Sequence, residues 1–270
     1  MNFSRNLIDL RKQNNFTQEK LASKLNVSFQ TISKWENEQS LPDIIQLERL
    51  ADIFKISVDT LIGHIINYDK RTQYEDFYAT NTYYWGTEPS HMCYQVLKLK
   101  PPIKSWRILD VGCGEGKDAV FFARNGYDVT AIDISNKGLI KGKKLASLYK
   151  VDVNFIQADI NNFRLSKSYD IIFSSGVLHY LNPKLKRDII KNYQEYTTLN
   201  GINVFNVFVY KPFIKSAPDE ETPNTLWRSG ELAMLYDNWY IHDFDEKIFD
   251  CNSNNIQHKH CMNTIIAEKY

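Results

Sequence analysis

The sequence predicts an α/β protein, a doubly wound parallel sheet preceded by a small all-α domain. Four apolar runs, at residues 108–111, 129–133, 154–159 and 169–176, are separated by helix-length segments, the order expected when crossover helices join parallel strands. The first run leads into Gly112-Cys113-Gly114-Glu115-Gly116, where alternating glycines let the backbone turn sharply and approach a ligand. Nearer the N-terminus, residues 17–36 hold two short amphipathic segments, each opened by a residue that caps helices.

In that N-terminal part Leu21, Ala22 and Leu25 recur at helical spacing, and after a short break Ile32 and Trp35 do so again. Thr17 and Ser28 are placed as N-caps. Two capped helices joined this tightly form a helix-turn-helix. Helices over 42–54 and 57–61 are expected to follow, with Ile45, Leu47, Leu50, Ile53 and Leu61 closing a small core. Over residues 3–63 the chain resembles DNA-binding domains of the phage-repressor (XRE/Cro-like) type. The resemblance implies that Gln18 touches a phosphate, that Ser28 opens the recognition helix, and that Gln30, Thr31 and Lys34 face the major groove. It also implies a homodimer reading a pseudo-palindromic operator in double-stranded DNA. Glu38 departs from the pattern, since such domains usually place glycine after that helix. A packing module without DNA is the competing reading, because a net charge of +1 supplies no strong basic field.

Residues 66–104 are rich in aromatics: Tyr68, Tyr74, Phe77, Tyr78, Tyr83, Tyr84 and Trp85, then Gly86. A flexible linker is polar and rich in Gly or Ser. This segment is therefore expected to pack, as a lid or linker, on the domain it precedes, which divides the chain into domains at 1–65 and 66–270.

The glycine run is preceded by Asp110, and Asp133 and Asp159 close the next two strand-like runs. Any one of these acids reads equally as a solvated surface group. Their recurrence at successive strand ends points to a ligand at the carboxyl edge of the sheet. From Trp106 to Tyr270 these residues resemble the Rossmann-like class I methyltransferases dependent on S-adenosylmethionine. The resemblance implies that Asp110 and Gly112 lie by the methionine amino group, that Gly114 lines the loop, and that Asp133 holds the ribose. It further implies that Ile134 packs on adenine, that Asp159 and the Ile160 amide read the adenine edge, and that Gly176 lines the passage to the methyl group. Tyr83-Tyr84-Trp85-Gly86 looks like the lid that related enzymes carry, and an aromatic face is favourable beside a sulfonium.

The methyl acceptor is expected near Val177-Leu178-His179-Tyr180-Leu181. His179 is there as a base, as an orienting group, or as a helix-start residue satisfied by its neighbours. DNA is disfavoured as the acceptor: Phe173-Ser174-Ser175-Gly176 is not the Asp/Asn-Pro-Pro-aromatic run of amino-methylating DNA enzymes, and no cysteine follows a proline. The segment from Leu226-Trp227-Arg228 through Tyr236 and Trp239 to the closing Thr264-Ile265-Ile266 resembles the tail of tellurite-resistance methyltransferases and their small-molecule relatives. That resemblance implies a small molecule or a soft chalcogen oxyanion, such as tellurite or selenite, as acceptor. Arg228 then either attracts the anion or forms a surface ion pair. His258, His260 and Cys261 are not assigned a metal, because along a strand the two histidines face one way and the cysteine the other.

A length of 270 residues accommodates two domains, and 43% hydrophobic with 24% charged residues is ordinary for a globular chain. The four cysteines lack paired zinc spacing, the N-terminus lacks a signal-like stretch, and no apolar run approaches the roughly 18 residues that span a membrane. Cytoplasmic residence with reduced thiols is the expectation. Two functions are consistent with these features: a methyltransferase with a DNA-binding regulatory domain, or a transcriptional regulator whose second domain senses S-adenosylmethionine or a metabolite without catalysis.

Overall fold

The computed structural model describes residues 3–14, 16–54, 58–62, 73–215, 225–252 and 256–270. The chain divides into two compact units, Met1–Lys70 and Arg71–Tyr270. The expected boundary after residue 65, the expected helix start at Ser57 and the aromatic Tyr68 lie outside the described residues.

In the first unit, α1 (Phe3–Gln13), α2 (Gln18–Leu25), α3 (Phe29–Glu36), α4 (Ile44–Phe54) and α5 (Val58–Leu61) follow one another. Thr17 caps α2 by accepting the Lys20 amide, and Ser28 caps α3 by accepting the Thr31 amide. Such caps stabilise a helix by about 1 kcal/mol each. Asn26 takes the left-handed conformation that closes α2 and turns the chain into α3. Helix α4 starts two residues later than expected because Asp43 and Gln46 form a reciprocal cap: the Gln46 amide donates to Asp43 Oδ1 at 2.7 Å and the Asp43 amide to Gln46 Oε1 at 3.1 Å. Leu21, Leu25, Ile32, Trp35, Leu50 and Leu61 are buried together, joined by Phe3 and Leu7 of α1 and by Phe54. Ile45 is not part of that core: at 62% exposure it faces solvent. Its position, five residues before Leu50, is roughly 140° around the helix from the buried stripe.

The second unit opens with α6 (Gln73–Phe77) and α7 (His91–Leu99). Then come β1 (Arg107–Val111), α8 (Lys117–Arg124), β2 (Asp128–Asp133), α9 (Asn136–Tyr149), β3 (Asn154–Gln157), β4 (Tyr169–Ser174), α10 (Lys186–Glu195), β5 (Thr197–Phe208), β6 (Tyr240–Cys251) and β7 (His258–Glu268). They form a seven-stranded sheet of order β3-β2-β1-β4-β5-β7-β6. Strands β1 to β5 are parallel, and β7 runs antiparallel between β5 and β6. Alternate residues of β1 feed opposite layers: Ile108 packs with Ala119, Phe122 and Met92, while Leu109 and Val111 pack with Ile189, Tyr193 and Trp227. Burial on both faces is why this strand reads as an unbroken apolar run. Two strand ends fall short of the expectation. β3 stops at Gln157, after which the Ala158 amide makes a last bond to the Asp133 carbonyl, and β4 stops at Ser174, before Gly176 turns with φ +71°.

Candidate functional site

Between β1 and β4 the winding of the sheet reverses direction, and the loops after β1, β2, β3 and β4 gather at one edge there. The turn after β1 is built on the β2 backbone, the Gly112 and Cys113 amides both donating to the Ile132 carbonyl at 2.8 and 2.9 Å. Gly112 has φ +73°, and a Cβ on it would lie 2.6 Å from Val177 Cβ, so this loop and the one after β4 touch backbone to side chain. Asp133, 7% exposed, ties the arrangement together: Oδ2 accepts the Gly114 amide and Oδ1 the Ser135 amide, both at 2.8 Å. Burial pushes its pKa up to about 6, opposed by those two amides.

Asp110 is 2% exposed, and its Oδ2 has no hydrogen-bond partner among the described residues. Burial and the nearby Asp118 push its pKa well above the usual carboxylate range, partly offset by Lys117. Asp118 itself is satisfied, accepting the Ser90 amide at 2.7 Å and Lys117 Nζ at 2.9 Å. Asp159 lies two residues past β3, half-buried, with Oδ1 accepting the Asn161 amide at 2.8 Å. Ile160 is buried in the core, and Ile134 is half-buried with its carbonyl accepting Gln157 Nε2 at 3.0 Å. The Gly176 amide donates to Asn206 Oδ1 at 2.5 Å, which fixes the loop after β4 to β5.

The aromatic segment packs over this edge. Tyr78, 6% exposed, has its hydroxyl 2.9 Å from where a Cβ on Gly114 would sit, and it accepts Trp85 Nε1 at 3.2 Å. Tyr74 stacks on Tyr78 at 5.7 Å between centroids, and its hydroxyl lies 3.0 Å from that of Tyr180. An ion pair between Lys141 and Glu115 anchors the rest: Lys141 Nζ donates to the Thr82 carbonyl at 2.5 Å, and the Trp85 amide donates to Glu115 Oε2 at 3.3 Å. Trp85, the aromatic singled out in the sequence, remains half exposed. Tyr78 is the ring over the glycine turn, and only the fold distinguishes it from its neighbours.

His179 is buried in a short 3-10 turn, its ring 4.1 Å from that of Tyr180 and 4.6 Å from that of Phe208. Burial, then His260 and Lys186, push its pKa down to about 3. The imidazole is therefore neutral at physiological pH, which favours a positioning role over that of a base poised near neutrality. Lys186, not singled out in the sequence, is 4% exposed; its Nζ donates to the Leu226 carbonyl at 3.1 Å and sits 4.5 Å from the Trp227 ring. Trp227 in turn donates from Nε1 to the Leu178 carbonyl at 3.0 Å. Arg228 is exposed, and its amide donates to Glu231 Oε2 at 2.8 Å.

In the first unit, Gln30 and Lys34 are exposed on α3 and Thr31 is half-buried beside them. The Ser28 and Thr31 hydroxyls lie 2.9 Å apart. Opposite this face, Arg11 and the buried Glu36 form a two-point ion pair, Nε to Oε1 at 2.5 Å and an Nη to Oε2 at 2.9 Å. Gln18 donates to the same carboxylate at 2.7 Å. One amide proton of Gln18 is thus directed towards Glu36.

Comparison with known proteins agrees with this architecture. The family model described as tellurite resistance protein TehB matches residues 71–262, and a helix-turn-helix model matches residues 7–61. The "Probable S-adenosyl-L-methionine-dependent methyltransferase TehB" of Haemophilus influenzae (strain 10810) is 27% identical over 172 residues, 62% of this chain and 58% of that protein. The chain thus spans under two thirds of the length of that relative. The crystal structure of TehB from Haemophilus influenzae superposes with a TM-score of 0.62 at 23% identity, covering 73% of this chain and 67% of that one. Magnesium protoporphyrin IX methyltransferase from Synechocystis PCC 6803, solved with bound SAH, superposes at 0.51 with 12% identity over 89% of this chain and 95% of that one. At these identities the two structures establish the fold. With 71–262 matched by its model and an N-terminal helix-turn-helix ahead of it, the chain belongs to the TehB tellurite resistance family.

Proposed function

We propose that the protein is an S-adenosylmethionine-dependent methyltransferase acting on a small molecule or a chalcogen oxyanion of the tellurite or selenite kind, with a DNA-binding domain that regulates it. One observation carries the reading. Asp110 Oδ2 is a buried carboxylate oxygen without a partner among the described residues, next to a glycine turn at the point where the sheet reverses direction. A buried unpaired carboxylate is costly, and the ammonium of a methionine moiety supplies the missing charge and donors. The two amides on Asp133 leave each of its oxygens a further lone pair for the ribose hydroxyls. Ile134, Asp159, Ile160 and Gly176 then line the adenine side and the passage to the methyl group. The names of the curated relatives support the same cofactor.

When bound, the cofactor supplies an electrophilic methyl on a sulfonium. The chain's own task is alignment and exclusion of water, because in-line displacement by a soft nucleophile needs no strong base. Tyr74, Tyr78, Trp85 and Tyr180 wall the edge with rings that favour a neighbouring cation. Neutral His179 holds Tyr180 and Phe208 in place, and Lys186 and Arg228 bring positive charge that draws an anionic acceptor. In the first unit, Gln30, Thr31 and Lys34 are the proposed base-contacting residues, with Ser28 and Gln18 towards the backbone, and a homodimer spans the operator.

The test combines calorimetry of S-adenosylhomocysteine binding with transfer of labelled methyl to tellurite, selenite, thiols and small amines. Binding together with transfer to at least one acceptor is expected. Absence of binding overturns the assignment, and binding of cofactor and DNA with no transfer to any acceptor favours the sensor.

A further inference from the structure

We propose that Cys251, His258 and His260 form a binding site for a zinc-class divalent metal ion at the β6–β7 hairpin. His258 and His260 are alternate residues of β7 and share a face, and Cys251 of β6 is the register partner of His258, so its side chain joins them. A cysteine sulfur and one ring nitrogen from each histidine lie within 4.8 Å of one another. Cys261, next to His260 in sequence, falls on the other face; the cysteine that completes the group comes from the neighbouring strand.

The two imidazoles are oriented for this purpose. His258 Nδ1 lies 2.7 Å from the Ile256 carbonyl, a contact that requires the proton on Nδ1 and leaves the lone pair on Nε2. That Nε2 is 2.8 Å from His260 Nε2. The pair shares one proton as a hydrogen bond, and a cation that displaces the proton takes both lone pairs. His260 is 5% exposed and clamped by Phe208, stacked at 4.5 Å and 13°, and by Phe249 at 5.7 Å. Tetrahedral zinc separates such donors by about 3.3–3.6 Å, close to the spacing of at most 4.8 Å found here. One thiolate with two imidazoles selects a borderline ion such as zinc over calcium or magnesium. The nearest ion pair on the hairpin, Lys259 with Asp250, involves residues that point to the opposite face.

Three protein ligands leave a fourth coordination position open to water or a small thiol. Phe208, stacked on His260, also contacts His179 at 4.6 Å, so His260 lies one aromatic ring from the residues after β4. Binding pins the two strands together across the hairpin and releases the cysteine proton.

The experiment titrates chelator-treated full-length protein with zinc against a chromophoric competitor, and with cobalt as the spectroscopic probe. One equivalent bound with submicromolar Kd and a thiolate-to-cobalt charge-transfer band are expected. Cys251→Ser should abolish the band and weaken zinc binding by more than about 100-fold, as should His260→Gln, whereas Cys261→Ser should keep both. Wild-type protein that binds no zinc below micromolar concentration, a missing charge-transfer band, or Cys251→Ser binding like the wild type each overturns the proposal. The wild-type titration decides the matter even if a variant fails to fold.

Discussion

Replacing Gly112 by alanine tests whether the loops after β1 and β4 form one unit. The residue has φ +73°, where a Cβ costs about 1–2 kcal/mol in backbone energy. The new methyl would also meet the Val177 side chain, with Val177 Cβ at 2.6 Å and both γ-methyls closer still. Overpacking of this kind costs about 1–3 kcal/mol, which gives a combined loss of about 2–5 kcal/mol. Val177→Gly removes the Cβ together with its γ-methyls and so relieves the contact without touching the backbone strain at residue 112. The double variant should therefore be more stable than the two single losses add up to, with a coupling of about 1–3 kcal/mol. Urea unfolding of the full chain, followed by fluorescence with and without S-adenosylhomocysteine, measures all four corners of the cycle. Additive losses, or a Gly112→Ala variant within about 0.5 kcal/mol of the wild type, refute the argument.

Further outcomes follow from the same structure. Glu38 sits at φ +60° after α3, so Glu38→Gly should stabilise the protein by about 1 kcal/mol, read from the unfolding midpoint of the first unit; an unchanged or lowered midpoint contradicts the strain assignment. Asp133 has a pKa of about 6, and ribose hydroxyls donate best to its ionised form. Ligand binding then lowers that pKa, so S-adenosylhomocysteine affinity should be flat above pH 6 and fall by up to about tenfold per unit below it, a dependence that Asp133→Asn should flatten. Gln30→Ala combined with Lys34→Ala should weaken operator binding and leave S-adenosylhomocysteine affinity intact, as measured by mobility shift and calorimetry on one preparation; undiminished DNA binding removes α3 as the recognition helix.

Much of this was legible in the chain because parallel strands buried on both faces leave short apolar runs with few alternatives. That is true of β1, β2 and β4, and the carboxylates and glycines at their ends fall where the pattern puts them. β5 was harder to see: Asn203 and Asn206 interrupt its apolar run. Asn203 is tolerated in the interior because it donates to Thr197 Oγ1 at 2.7 Å and accepts the Tyr236 hydroxyl at 2.8 Å, partners that only tertiary structure supplies. β6 is half exposed along its length, so burial leaves little periodic signal. The same dependence on distant partners hid Tyr78 among the six other aromatics of its segment, Lys186 under Trp227, and Arg11 with Glu36, which lie 25 residues apart. Cys251 is hidden for a related reason. Within β7 the period-two rule puts Cys261 on the face opposite the two histidines, but no rule within one strand reveals what the adjacent strand contributes.

The central claim is that Asp110 Oδ2 awaits a cationic partner at the reversal point of the sheet, and the structure of the protein grown with S-adenosylhomocysteine tests it most directly. The account predicts the ligand's ammonium within hydrogen-bond distance of Asp110 Oδ2, with the ribose hydroxyls on Asp133. An ammonium turned away from Asp110, or a ligand bound anywhere other than over the glycine turn, would contradict it.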